Sequence, residues 1–197
     1  MDESSASSRL TLRPTLSQSR HLVMLSNAIL EVATKHPIEF IDLTERINAH
    51  LRAHEIEHGE VTIFSRHTTA AIKINEAEEL LLEDFKRLLR RLCPPEHGYH
   101  HNDMSRRKPP IAVDERPNGH SHCMHLLLST SETIPVIDTR LALGTWQRVF
   151  LVELDGPRRR EVFLRFTQYL RHQPARVIET AALNGYQNGN RSSRGLR

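Results

Sequence analysis

The sequence has few of the residues and patterns that mark the common classes of protein. Its 197 residues include two cysteines, Cys93 and Cys123, which form no C-x-x-C pair, so a zinc ribbon and a dithiol redox centre are excluded. No stretch approaches the roughly 18 consecutive apolar residues of a membrane-spanning helix. The first residues, MDESSASSRL, lack the apolar block of a signal peptide. We therefore expect a cytoplasmic protein with reduced thiols and no membrane association.

The sequence also lacks the short motifs of several large enzyme classes. It contains no G-x-G-x-x-G and no G-x-x-x-x-G-K-[ST], so dinucleotide binding and P-loop phosphate binding have no support. The G-x-S-x-G elbow of serine hydrolases and the H-E-x-x-H pair of zinc proteases are absent as well. The chemistry of this chain must be sought elsewhere.

Positive charge is concentrated at the ends of the chain. The formal net charge is +3, but residues 171–197 hold five arginines and one glutamate, and residues 21–170 have a net charge of −2. The pI near 9.1 is thus a property of the ends, and nucleic-acid binding is not expected. Composition divides the chain into a polar, serine-rich, disordered segment at 1–20, one domain at 21–170 and a basic, disordered tail at 171–197.

Periodicity predicts an antiparallel α+β domain. One helix should begin at Asp42 or Thr44 and end at Gly59, and a second should be capped by Asn75 and end at Leu92. Strands are predicted at 22–32, 60–65, 69–74, 123–128, 134–137, 146–154 and 160–166, the last two joined by an Asp-Gly-Pro turn. Helices fall early and strands late without βαβ alternation, which argues against a parallel sheet.

Three polar segments with histidines stand out among the thirteen histidines of the chain. They are residues 65–69, 99–103 and 118–122, each in a loop or at the end of a predicted strand. If one histidine from each converged, three imidazoles would form a catalytic-type metal site with an open position. On a strand, His120 and His122 would share a face and His125 would point away, so those three should not bind one ion together. The alternative is that these histidines are ordinary surface residues.

Four blocks, in order, resemble the YjbQ-like family, whose members are called secondary thiamine-phosphate synthase enzymes. The blocks are SRHTTAAIKINE at 65–76, YHHND at 99–103, NGHSHCMHLLLSTSETIPV at 118–136 and LGTWQRVFLVELDGPRRREV at 143–162. The resemblance implies a compact, mostly antiparallel α+β fold, assembly as a homotrimer, and a site close to the subunit boundaries. It also implies a weak capacity to join the pyrimidine and thiazole halves of thiamine phosphate.

The resemblance selects His67, His101 and His122 as the ligands of a divalent metal ion or, failing a metal, of a bound anion. Imidazole nitrogens suit a zinc-like ion, whereas magnesium, which suits pyrophosphate chemistry, prefers oxygen ligands. In the implied reaction, a pyrimidine-methyl diphosphate loses pyrophosphate and the thiazole nitrogen captures the carbocation. The leaving anion calls for arginines, and the candidates are Arg158, Arg159 and Arg160, which follow the Asp-Gly-Pro turn.

Other polar or aromatic residues of the matching blocks complete the expected site. The catalytic candidates are Glu76, Asn102, Asp103 and Gln147, and the substrate-binding candidates are Thr68, Thr69, Asn118 and Trp146. His120 could extend the site. Family members commonly carry glycine where this chain has Asp138-Thr139, so that turn is expected to be reshaped. Two other functions fit the same residues: a metal-dependent hydrolase or other transferase acting on a small phosphorylated compound, and a trimeric ligand-binding protein without activity.

Overall fold

Two antiparallel β-sheets pack face to face in the computed structural model, which describes residues 22–111 and 115–170. The strands are β1 (Leu22–Ala33), β2 (Glu39–Asp42), β3 (His58–Ser65), β4 (Ala70–Glu76), β5 (Ser131–Ile137), β6 (Arg140–Leu141), β7 (Gln147–Glu153) and β8 (Arg159–Leu170). One sheet has the order β1-β8-β3-β5-β6 and the other the order β2-β7-β4. The helices are α1 (Thr44–Ala53), α2 (Glu79–Leu92) and α3 (Gly119–Leu126), with one 3-10 turn at His100–Asn102. The predicted antiparallel α+β class is confirmed. The tails predicted at 1–20 and 171–197 lie outside the described residues.

The three-stranded sheet is buried on both faces. In β7, Val149 and Leu151 point into the core between the sheets, together with Ile47 and Leu51 of α1. Phe150 points the other way, into a second core formed with α2 and α3. A strand that is buried on both sides reads as a continuous apolar run, and this explains the VFLV sequence at 149–152. None of the described helices is long and apolar enough to cross a membrane.

The segment 123–128 was predicted as a strand, and this prediction is wrong. Residues up to Leu126 belong to α3, which buries Ser121 and Met124 at helical spacing against the three-stranded sheet. Leu126 and Leu127 are exposed instead. A short apolar run is compatible with either structure, and tertiary packing decides between them. Residues three apart on a helix lie on the same side, so His122 and His125 point in similar directions. On the predicted strand they would have pointed to opposite faces.

Two predicted helix boundaries are also wrong. The first helix ends at Ala53, and Gly59 lies within β3, where a Cβ atom would sit 1.9 Å from the carbonyl oxygen of Thr167 on β8. Glycine is therefore needed there for close strand approach and not to end a helix. The second helix is capped by Glu78, whose carboxylate accepts the backbone N–H groups of its first turn. Asn75, the predicted cap, is part of β4.

Three crossovers between the two sheets meet at one place, which we call the crossover corner. They are residues 34–38, 66–69 and 154–158, and each links a strand of one sheet to a strand of the other. Backbone hydrogen bonds join them: Thr34 N–H donates to Arg158 O (2.9 Å) and Leu154 N–H donates to Thr69 O (3.1 Å). The Asp-Gly-Pro turn therefore does not close a hairpin, because β7 and β8 belong to different sheets.

The turn between β5 and β6 contains two residues with left-handed backbone conformation. Asp138 has φ of 51° and Thr139 has φ of 59°. Glycine adopts this conformation without cost, whereas a β-branched residue is strained there. The turn thus has a backbone that favours glycine although this chain has no glycine in it.

Candidate functional site

A polar cavity of about 330 Å³ opens at the crossover corner. It is lined by Thr68, Thr69, His101, Arg107, Glu115, Asn118, His122, Asp155, Arg158 and Arg160. The crossovers supply the threonines, Asp155 and Arg158, whereas α3 and the loop before it supply the histidines and Asn118. Seven of the residues predicted for the site are thus brought together around one cavity.

A buried ion pair holds Arg160 in place. Arg160 Nε donates to Glu153 Oε2 (2.7 Å), its Nη2 donates to Glu153 Oε1, and Nη2 also donates to Thr69 Oγ1 (3.0 Å). Glu153 is fully buried and Arg160 is 5% exposed. The same carboxylate accepts hydrogen bonds from the Thr34 hydroxyl and from the backbone N–H groups of residues 154 and 155. Glu153 and Arg160 together therefore link all three crossovers.

A second chain of polar contacts fixes the wall of the cavity. Arg158 donates from Nε (3.0 Å) and Nη2 (2.7 Å) to Asp155 Oδ2. The same oxygen accepts a hydrogen bond from Asn118 Nδ2 at 3.1 Å. Thr34 Oγ1 accepts the Arg158 backbone N–H at 2.8 Å. Arg158 is thus held by its backbone and by its guanidinium, and the Nη1 atoms of Arg158 and Arg160 donate no hydrogen bond within the described part of the chain.

His101 and His122 meet at the side of the cavity. Their ring centroids are 4.6 Å apart in an edge-to-face arrangement. Burial, and after it the neighbouring His101, lowers the pKa of His122 below its ordinary value, so its imidazole is neutral near pH 7. His101 Nε2 lies 3.7 Å from Glu115 Oε1, beyond hydrogen-bond distance. This nitrogen is buried, and no group in residues 22–111 or 115–170 forms a hydrogen bond with it. Arg107 forms an ion pair with Glu115.

His67 lies apart from these two histidines. Its Nε2 accepts the backbone N–H of Glu161 at 2.9 Å, and its side chain does not line the cavity. Burial, followed by the nearby positive charge of Arg160, lowers the pKa of His67. Residues 22–111 and 115–170 contain no group of three or more His, Cys, Asp or Glu side chains that could hold a metal ion. The described part of one chain thus does not bring the three predicted histidine ligands together.

Asn102 and Asp103 support the site from outside the cavity. Asn102 Oδ1 accepts the backbone N–H of Gly119, the first residue of α3, at 2.9 Å. A Cβ at Gly119 would lie 2.5 Å from the Tyr99 side chain, so the 3-10 turn and α3 are in close contact. Asp103 Oδ1 accepts hydrogen bonds from the backbone and hydroxyl of Ser105. Both side chains act on the local backbone, where they hold the segments that carry His101 and His122.

Glu76, Trp146 and Gln147 lie at the other end of the three-stranded sheet. Glu76 and Gln147 are register partners on β4 and β7, whereas the cavity is beside Ala70 and Glu153, which pair at the opposite ends of the same strands. At about 3.3 Å per residue this separation is roughly 20 Å. Glu76 and Trp146 line a second cavity, of about 280 Å³, and Trp146 is 71% exposed. Within one chain, these residues do not share a cavity with the histidines.

Sequence reasoning missed four charged residues of the site. Arg107, Glu115 and Asp155 line the cavity, and Glu153 lies beneath it. One signal was available: Glu153 follows an apolar run, and such a position predicts a buried carboxylate that needs a partner. His120 and His125 do not line the cavity.

Comparisons with known proteins match this chain to one protein family. A family model described as UPF0047 protein YjbQ-like matches residues 28–169. A UPF0047 protein of Methanothermobacter thermautotrophicus is 40% identical over 133 residues, which are 68% of this chain and 85% of that protein. The UPF0047 protein YugU of Bacillus subtilis is 31% identical over 139 residues, which are 69% of this chain and 95% of that protein.

Solved structures show the same fold. A YbjQ-like protein of unknown function from Sulfolobus solfataricus matches with a TM-score of 0.66 at 30% identity, over 75% of this chain and 99% of that one. A hypothetical protein from Aeropyrum pernix matches with a TM-score of 0.62 at 35% identity, over 74% of this chain and 98% of that one.

Proposed function

Since the chain belongs to the YjbQ-like family, we propose that it is an enzyme acting on a small phosphorylated compound bound in the cavity at the crossover corner. The specific reaction proposed is the one that the family resemblance implies. In it, a pyrimidine-methyl diphosphate is joined to a thiazole phosphate and pyrophosphate leaves. The observation that carries the proposal is the pair of fixed arginines, Arg158 and Arg160, on one side of a polar cavity.

The arginines suit phosphate because part of each guanidinium remains unused. Carboxylates bind Nε and Nη2 of both side chains, which fixes the planes of the guanidinium groups. The two Nη1 groups then donate to phosphate oxygens with little loss of side-chain entropy, since the ion pairs have already ordered the arginines. The threonine hydroxyls of residues 68 and 69 and the imidazole N–H of His122 are further donors that line the cavity.

The proposed chemistry uses these groups for charge stabilisation. The bond between the methylene carbon and the bridging oxygen breaks, and its electron pair goes to the leaving pyrophosphate. The thiazole nitrogen then supplies the electron pair of the new carbon–nitrogen bond. Arg158 and Arg160 stabilise the charge that develops on pyrophosphate. A neutral His122 donates a hydrogen bond to the leaving group and does not transfer its proton.

A divalent metal ion remains part of the proposal in a restricted form. The described residues do not offer the three-histidine set that a zinc-like ion would take. A magnesium ion that arrives with the diphosphate is commonly held by phosphate oxygens and one or two carboxylates. Glu115 and Asp155 are the carboxylates that line the cavity. Activity measured with EDTA and with added magnesium or zinc tests this point.

The homotrimer is proposed from an uncovered apolar sheet face. Large side chains on the outer face of the five-stranded sheet are exposed: Val23, Leu25, Ile29, Phe64, Ile137 and Tyr169, between 40% and 62% each. Apolar surface of this extent on one face is typical of an interface, and a second and third copy of the chain are its proposed partners. Light scattering should give three times the monomer mass. Leu25→Lys should shift the mass to a monomer, whereas Leu126→Lys, at an exposed position of α3, should not.

The activity is tested by coupling a pyrimidine-methyl diphosphate to a thiazole phosphate, with hydrolysis of a simple phosphate ester measured in parallel. Arg158→Gln should reduce kcat/KM at least about tenfold, because it removes a charged donor from the cavity. The neighbouring Arg159 is exposed and does not line the cavity, so Arg159→Gln is a matched control that should leave activity unchanged. An equal loss of kcat/KM in the two variants would show that the cavity is not the active site.

The two other functions are outcomes of the same experiment. Ester hydrolysis without coupling would favour a hydrolase acting at the same cavity. Tight binding of the diphosphate without turnover of either substrate would favour a non-enzymatic binding protein. Calorimetric titration with the diphosphate separates that outcome from loss of the site altogether.

A further inference from the structure

Asn118 contributes an unsatisfied acceptor to the cavity wall. The residue lines the cavity and is 7% exposed. Its Oδ1 is buried and has no hydrogen-bond partner within the described residues. A buried amide oxygen without a partner destabilises the protein, since it has lost its water and gained nothing in exchange. An orphaned acceptor at the wall of a cavity indicates a ligand that supplies the missing donor.

The orientation of the Asn118 amide is fixed by its neighbours. Its Nδ2 donates to Asp155 Oδ2 at 3.1 Å. That carboxylate oxygen also accepts two hydrogen bonds from the Arg158 guanidinium, which hold it in position. Turning the amide over would set Oδ1 against a carboxylate oxygen, and two acceptors repel each other. The Asp155 carboxylate thus fixes the Asn118 amide with Nδ2 towards Asp155, and Oδ1 remains the atom that lacks a donor.

We infer that Asn118 is a specificity-determining residue whose Oδ1 accepts a hydrogen bond from a neutral N–H donor on the ligand. This inference rests on the proposed function: the arginines bind the phosphate, and Asn118 selects phosphorylated compounds that also carry an amino group on a ring. A neutral donor is favoured over an ammonium group, because the carboxylate beside Asn118 is already paired with Arg158. A ligand that lacks the donor leaves the amide oxygen buried and unpaired, and such sites discriminate strongly.

The test compares two ligands that differ only in the donor. They are a 4-aminopyrimidin-5-ylmethyl phosphate and the same compound with hydrogen in place of the amino group, each titrated calorimetrically into the full-length protein. The parent protein should bind the amino compound roughly 10- to 100-fold more tightly. In Asn118→Ala this preference should fall to about 1, because the acceptor is gone. In Arg158→Gln both ligands should weaken by a similar factor, with the preference kept.

Ser121→Ala is the matched control for Asn118→Ala. Ser121 is fully buried three residues further along the chain, in α3, donates to Leu154 O at 2.7 Å, and does not line the cavity. The Ser121→Ala protein should keep the preference for the amino compound even if its melting temperature falls.

The outcomes separate the inference from the proposed function. A parent protein that binds both compounds equally overturns the inference and leaves the proposed phosphate site standing. A preference that persists in Asn118→Ala also overturns it, since another group must then be the acceptor. If the parent binds neither compound, the proposed function fails as well. Should Asn118→Ala not fold, the ratio is measured in Asn118→Ser, which also removes the amide oxygen, and a preference kept in that variant overturns the inference.

Discussion

The ion pair between Glu153 and Arg160 gives the sharpest test of how the crossover corner is held together. We predict that Glu153→Gln lowers the free energy of unfolding by about 3–5 kcal/mol, the usual cost of leaving a buried charge without its partner. Arg160 uses both carboxylate oxygens. A glutamine amide in either orientation therefore points an NH₂ group at a guanidinium N–H group, so rotation of the side chain offers no relief.

The Glu153→Gln substitution also weakens other hydrogen bonds at the crossover corner. Glu153 also accepts hydrogen bonds from Thr34 Oγ1 at 3.0 Å and from the backbone N–H groups of Leu154 (3.0 Å) and Asp155 (2.7 Å). A neutral amide oxygen accepts these more weakly than a carboxylate does. The loss should therefore fall in the upper half of the expected range. Urea denaturation at pH 7, with the m-value checked for constancy, measures it.

Two further variants make the prediction specific to the buried pair. Glu161→Gln, on the same strand as Arg160, breaks only a half-exposed pair with Arg66 and should cost less than about 1 kcal/mol. The double variant Glu153→Met with Arg160→Met removes both buried charges and should regain part of the stability. The recovery is incomplete because the backbone N–H groups of Leu154 and Asp155 lose their acceptor. A Glu153→Gln protein within 1 kcal/mol of the parent, or a double variant no more stable than the single one, would refute the reasoning.

Three shorter predictions concern the turn, the strand contact and the buried histidines. Thr139→Gly should raise the free energy of unfolding by about 1 kcal/mol, because glycine relieves the left-handed φ of 59°; an unchanged urea midpoint would contradict this. Gly59→Ala should lower it by roughly 2–3 kcal/mol, because the added Cβ would overlap the carbonyl oxygen of Thr167; a fully stable variant would show that the two strands separate easily. Burial lowers the pKa of His122, so the unfolded chain binds more protons below about pH 6.5 and stability should fall as the pH drops from 7 towards 5. His122→Gln should flatten this dependence in urea titrations at several pH values, and an unaltered slope would argue against a buried neutral imidazole.

Much of the fold could be predicted because its signals are local. Alternation and β-branched residues indicated the strands, and the absence of βαβ order indicated an antiparallel arrangement. The error at α3 arose where a short apolar run fits both helix and strand, and only the packing of Met124 against the sheet decides. The error at Gly59 has another origin, since the need for glycine there comes from Thr167, more than a hundred residues away.

The site was predictable in part for a similar reason. Histidines, threonines and arginines in polar segments are visible in the sequence, and seven of those predicted do line one cavity. The sequence does not show which segments the crossovers bring together, so His67 was grouped with His101 and His122, although it contacts the backbone of β8. Glu76 and Trp146 were grouped with the same site, although the length of a strand separates them from it.

The crossover corner has a consequence for how this protein can change. Thr68, Thr69, Asp155 and Arg158 line the cavity from the segments that carry the chain between the sheets, and Glu153 anchors them in the core. Residues that shape the ligand site are therefore also ones that set the topology, and substitutions at Thr69 and Asp155 will impair folding before they alter ligand preference. Adaptation to new ligands should be concentrated on the opposite wall, in the stretch leading to Asn118, where Arg107 and Glu115 can vary without disturbing strand order. A library randomised at those two positions should yield more folded members than one randomised at Thr69 and Asp155.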